Sequence, residues 1–146
     1  MVQCNPLLFA YLAFFIIRSV TQVILDRLNI FYLRKVGDTV PEVFRDTIDR
    51  EKLKKIRAYT IDSANFGILS ILASQVFFLL LLVSGFLPWL AQTIQQPGWS
   101  GIVQGLVFFA ALSLPVNLFQ IPFDLYDTFI IENRYGFNTK TLGLWI

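Results

Sequence analysis

Residues 66–88 contain no charged side chain. At 1.5 Å per residue, a helix of that length crosses the roughly 30 Å hydrocarbon core of a bilayer. Lipid offers the backbone no hydrogen-bond partner, so a spanning segment must bond internally, as a helix or in a closed barrel. A chain of 146 residues with one uncharged run of this length is constrained toward helices. Its 55% hydrophobic content, 16% aromatic content and mean hydropathy of +0.62 agree with a bilayer rather than water as solvent.

Two further runs meet the length requirement. Residues 101–123 are also uncharged, although they carry Pro115 and Pro122. The third run begins at Pro6, is interrupted by Arg18, and continues apolar, which predicts one long helix over about 6–32. No basic leader precedes this run and no small-x-small site follows it, so it is expected to be a retained span. Cys4, the sole cysteine, has no intrachain partner and lies far from the C-terminus, so it reads as an ordinary thiol. The expected fold is therefore a single all-α domain over 1–146. It is an integral membrane bundle of about three transmembrane helices, at 6–32, 66–88 and 101–123.

Between the first two spans, residues 34–57 hold eight Lys or Arg and five Asp or Glu, a net charge of +3. Pro41 suits a first helical turn with Asp38 or Thr39 as its cap. Asp46–Arg50 and Glu51–Lys55 are acid-before-base pairs at i,i+4. With Phe44, Ile48, Leu53 and Ile56 on one side, the stretch predicts an amphipathic surface helix running into the second span. The short connection before residue 101 is uncharged, so the positive-inside rule places the charged loop and the C-terminus in the cytoplasm, with Met1 outside or luminal. A whole-chain net charge of +2 leaves no footprint for nucleic acid.

Ionisable groups inside a span need a polar or wet partner. Arg18, Gln22 and Asp26 share one face of the first helix at i, i+4 and i+8. Asn117, Gln120, Asp124 and Asp127 form a stripe on the third at spacings of three, four and three. Such stripes either line a polar cavity or passage between these two helices, or bond to one another and to neighbouring helices. The two aspartates are also placed to emerge at the headgroups. On the second span Ser63, Gly67, Ser70 and Ser74 make a small-residue face that lets another helix approach closely.

Catalytic motifs fail on their chemistry. Gly98-Trp99-Ser100-Gly101 spells an intramembrane serine-protease motif, but the chain has no histidine to take the serine proton. Ser100 is better placed as a helix cap after a Pro97-Gly98 turn. Tyr126-Asp127 lacks the second carboxylate motif that an aspartyl dyad requires. With neither H-E-x-x-H nor a glycine-rich phosphate loop, neither a catalytic nor a metal-binding residue is assigned.

Near the C-terminus, the stretch Thr128-Phe129-Ile130-Ile131-Glu132-Asn133-Arg134-Tyr135-Gly136-Phe137-Asn138-Thr139-Lys140-Thr141 resembles the T-F-x-I-E-x-x-[FY]-G-F-N-x-x-T signature of CAAX prenyl proteases. Upstream, Val40-Pro41-Glu42 leads to Lys54, Arg57-Ala58-Tyr59 and Asp62, which is similar to a second segment of that family. The resemblance covers nearly the whole chain. It implies the noncatalytic N-terminal membrane domain of a zinc metalloendopeptidase with an intramembrane chamber for lipidated or hydrophobic substrates. Zn2+ and its H-E-x-x-H ligands then belong to a full-length parent, beyond Ile146. The implied partners are the bilayer, a C-terminal catalytic region or partner membrane protein, and a prenylated or hydrophobic peptide.

The residues themselves give the signature a turn. Gly136 permits positive φ, Asn138 can bond the turn, and Glu132 with Arg134 holds charge at the membrane surface. Tyr135 and Phe137 are expected to anchor the turn at the interface, with Thr141 closing the motif. The apolar residues 142–146 read as the opening of a further element. Two other functions fit the residues: a membrane interaction module that binds a partner helix or protease subunit, and a small oligomeric channel using the Asn117–Asp127 stripe.

Overall fold

A computed structural model describes residues 6–36, 49–95 and 98–145. Cys4, Asp38, Thr39, Val40-Pro41-Glu42, Phe44, Asp46, Ile48 and Pro97 lie outside the described residues, and so do the expectations attached to them.

Helix α1 runs Pro6–Val36, α2 Arg50–Val83, α3 Phe86–Gln95 and α4 Gly101–Tyr126. A π-helical segment, Asp127–Glu132, continues α4, and one short helix, α5, covers Leu142–Trp145. Among the described residues there is no strand. Among the described residues, three elements are long and apolar enough to cross a membrane: Pro6–Val36, Arg50–Val83 and Gly101–Glu132. The described chain is a helical membrane bundle.

Several boundaries differ from the sequence expectation. The first helix continues past residue 32 to Val36. The charged stretch runs into the second span, as expected, and does so without a break: Arg50–Val83 is one element of 34 residues, so the helix that carries this span begins well before residue 66. Between Asp49 and Phe66 there is neither glycine nor proline, and lysine, arginine, glutamate and leucine all propagate a helix readily. At the other end α2 stops at Val83, short of Pro88. Gly85 takes φ +82°, and the Phe86 amide donates to Ser84 Oγ at 3.2 Å, which reverses the chain. Pro88 then sits in the first turn of α3, where a missing N–H breaks no helical bond. Leu90 and Ile94 of α3 are buried at i,i+4, and α3 packs on both α2 and α4.

Helix α2 is the centre of the bundle. It packs against α1 on one side and α4 on the other, and α1 and α4 make no packing contact among the described residues. Both pairs run antiparallel. Along α1–α2, Arg27 Nη1 donates to Asn65 Oδ1 at 3.0 Å, Ile30 is buried, and Arg57 donates to the Arg34 carbonyl. Along α2–α4, aromatic rings interlock. Phe77 stacks on Phe119 at 4.2 Å, and Phe66 meets Tyr126 at 4.6 Å. Ser100 occupies the N-cap of α4, as expected, although its side chain makes no capping bond. Pro115 and Pro122 lie inside α4, which deprives the Ala111 and Leu118 carbonyls of their i+4 donors.

Among the described apolar residues only Ile30, Ile68, Leu90, Ile94 and Ile131 are buried. Ile102, Leu106 and Phe109 are among many left largely exposed along the spans. In water such a surface would aggregate; against acyl chains or further helices it is the ordinary outside of a membrane bundle.

Candidate functional site

The two segments that resemble one family meet in space. After the π-helical segment the chain closes with a Schellman turn: the Gly136 amide donates to the Asn133 carbonyl at 3.0 Å, and the Phe137 amide to the Glu132 carbonyl at 2.9 Å. Gly136 holds φ +64° there. Asn138 Oδ1 accepts the Lys140 amide at 2.7 Å, and the Thr141 carbonyl accepts the amides that open α5. This geometry swings the turn against α2. Tyr135 Oη donates to Asp62 Oδ2 at 2.6 Å, and Arg134 Nη1 reaches the same oxygen at 3.5 Å. Tyr59 lies edge-on to Phe137 at 4.9 Å and to Tyr135 at 5.8 Å, while Lys55 Nζ sits 5.6 Å over the Phe137 ring. Tyr135 and Phe137, expected as interface anchors, thus dock on the Arg57-Ala58-Tyr59…Asp62 segment. Lys55, Tyr59 and Asp62 are the receptors of the turn, and spacing along one chain carries no signal for such a pairing.

Tyr135 lies beyond the spans, and its phenol is held above its ordinary range. The hydrogen bond to Asp62 is the main cause, then burial and the Asp62 charge, with Arg134 opposing. A raised folded-state value means the contact contributes stability below the ordinary phenol value of about 10 and loses it as pH rises through the higher one. Absorbance titration near 295 nm is expected to show a late-ionising tyrosine step whose amplitude Tyr135→Phe lowers by one tyrosine. An unchanged late step in that variant would contradict the contact.

Deeper in the bundle the α4 stripe meets the small-residue face of α2. Ser74 Oγ donates to Gln120 Oε1 at 2.9 Å, Gln120 Nε2 donates to Ser70 Oγ at 3.1 Å and to Asp124 Oδ1 at 3.2 Å, and Ser63 Oγ donates to Asp127 Oδ1 at 3.2 Å. Among the described residues, no helix approaches closely at Gly67: a Cβ there would meet nothing within 4 Å. The space is a groove of about 240 Å³ bordered by Ser63, Gly67, Gln120, Asp124 and Asp127. The polar bonds hold the helices together, and the gap at glycine keeps room between them. Asn117 takes no part; exposed on α4, it bonds back to the Ser113 carbonyl.

A larger cavity of about 650 Å³ opens beside this ladder. Tyr11, Phe14, Phe15 and Arg18 of α1 form one wall, Ser70, Ser74, Gln75 and Phe78 of α2 the floor, and Gln120 of α4 the far edge. The first and third spans therefore share a cavity only across α2, which supplies its floor. Of the α1 stripe, Arg18 borders the cavity, whereas Gln22 bonds Asp26 at 3.1 Å within the helix and neither borders it.

The donor set does not fit a zinc ion. The chain contains no histidine, and among the described residues no three of Cys, Asp or Glu are grouped to hold a metal.

An all-helical bundle with three apolar spans and a polar seam between two of them is a multi-pass integral membrane domain. Residues 29–146 match the CAAX prenyl protease N-terminal family, which is described as having five membrane helices. The chain belongs to that family. The human CAAX prenyl protease 1 homolog is 34% identical over 119 residues, covering 77% of this chain and 25% of the relative. The Arabidopsis thaliana CAAX prenyl protease 1 homolog is 28% identical over 148 residues, covering 97% and 34%. The Saccharomyces cerevisiae CAAX prenyl protease 1 is 30% identical over 129 residues, covering 77% and 27%. The chain spans about a quarter to a third of the length of these relatives.

Proposed function

We propose that this domain is a noncatalytic wall of an intramembrane chamber that admits lipidated or hydrophobic peptide segments to a zinc metalloprotease centre formed by residues outside these 146. The observation that carries the reading is the 650 Å³ cavity, which sets Arg18, Ser74 and Gln120 among aromatic rings within apolar helices. Its size lies in the ordinary range of ligand cavities. Aromatic walls suit a hydrocarbon chain, and the polar seam suits the backbone of an extended peptide. No residue here is assigned the hydrolytic step, since no histidine is available as metal ligand or base. The Arg34–Arg57 region faces the cytoplasm in this reading, by its excess of basic residues.

Thiol accessibility tests the chamber. In a Cys4→Ser background reconstituted in liposomes, Ser74→Cys and Gln120→Cys are expected to react with a charged maleimide at least tenfold faster than Leu80→Cys. Leu80 lies on the outer, 62% exposed face of α2. Equal rates at Ser74→Cys and Leu80→Cys would refute a water-accessible cavity. In parallel, a prenylated CAAX peptide with Zn2+ is expected to remain uncut by this chain; cleavage would overturn the noncatalytic assignment.

A further inference from the structure

We propose that the cleft between the C-terminal end of α1 and the first turns of α2 binds the phosphate headgroup of an anionic lipid. This cleft, of about 370 Å³, is lined by Arg34, Lys54, Arg57, Ala58 and Ile61. Among the described residues, three of the five that line it are cations and none is acidic. The Arg57 guanidinium donates to the Arg34 carbonyl, so the last turn of α1 is tied to α2 and the two basic side chains share one frame. Ala58 and Ile61 supply an apolar floor, which a free inorganic anion does not need and which suits the acyl carbons nearest a lipid headgroup.

Depth selects the lipid. The uncharged part of α2 begins at Ser63, directly after Asp62, and Ile61 to Lys54 lie roughly 3 to 14 Å further along the helix. That is the headgroup layer and the water just beyond it, within reach of snorkelling Lys and Arg side chains. Below the cleft the α1–α2 seam is closed by the Arg27–Asn65 hydrogen bond and by buried Ile30. A ligand therefore enters from the surface and stays at phosphate level. Basic pockets between spans at this level are suited to phosphorylated lipid headgroups.

The test measures binding of acyl-labelled lipids to the purified chain in uncharged detergent at about 0.15 M salt. A phosphorylated phosphatidylinositol is expected to bind at least tenfold tighter than phosphatidylcholine carrying the same label. Lys54→Gln should weaken the anionic lipid about fivefold, and Arg34→Gln with Lys54→Gln about 25-fold, the increment expected per surface cation. Arg57 is left in place because it holds α1. Lys140→Gln, outside the cleft, should change nothing. Lys54 is exposed, so its single variant remains a fair test if the double variant fails to fold. Wild-type affinity in Lys54→Gln would overturn the proposal. So would complete displacement of the lipid by millimolar inorganic phosphate, which would assign the cleft to a soluble anion.

Discussion

Gly136→Val is expected to lower the stability of the folded bundle by about 2 kcal/mol, because a β-branched residue resists the left-handed conformation that this position holds at φ +64°. Lys55 Nζ stands only 3.5 Å from where a Cβ would sit, but it is the end of a flexible side chain and can move. The cost therefore comes from the backbone. Relieving the strain would open the Schellman bonds from Gly136 and Phe137, and Tyr135 and Phe137 would then leave Asp62 and Tyr59. Reversible unfolding in mixed micelles measures the loss, with Gly105→Ala as a control inside α4, where nothing lies near the new methyl group. A loss below about 0.5 kcal/mol for Gly136→Val would show that the turn does not hold the bundle.

Gln120→Leu is the second large effect, and it acts inside the hydrocarbon layer. Among the described residues, Gln120 bonds both Ser70 and Ser74, and it also bonds Asp124. Interhelical hydrogen bonds in membranes average about 0.6 kcal/mol and reach about 1.7, so losing two predicts roughly 1–3 kcal/mol. The lower half is favoured, since each serine can turn its hydroxyl back to a carbonyl of its own helix. A double-mutant cycle with Ser74→Ala isolates the pair and should give a coupling of about 0.6–1.7 kcal/mol. Zero coupling would mean that the Ser74–Gln120 bond adds nothing to the seam.

Two rules were legible in the residues. Runs without charge located the cores of α2 and α4, because transfer of ionisable groups into hydrocarbon is unfavourable at any position along the helix. The signature pointed to a turn at Gly136, since that residue type is the usual way to reach positive φ. The ends of the helices were less legible. Arg50 and Val83 bound α2 for reasons of propensity and of a local reversal at Ser84-Gly85, and neither leaves a mark in hydropathy. Helix α3 does carry a local signal: Gly85, then Pro88 in a first turn, then Leu90 and Ile94 at i,i+4.

The sites divide in the same way. Periodicity put Gln120, Asp124 and Asp127 on one face and Ser63, Ser70 and Ser74 on another, and both assignments follow from the 3.6-residue turn. Nothing in that period says which face opposes which. The sequence by itself determined solvent, helix content and family, which depend on residue type and on neighbours within a turn or two. Only the tertiary structure decided that Asp62 receives Tyr135 across 73 positions, that Ser74 meets Gln120 across 46, and that Gly67 borders a gap. Those pairings depend on how three stiff helices pack side by side, and helix packing is set by the joint shape of two surfaces rather than by either one alone.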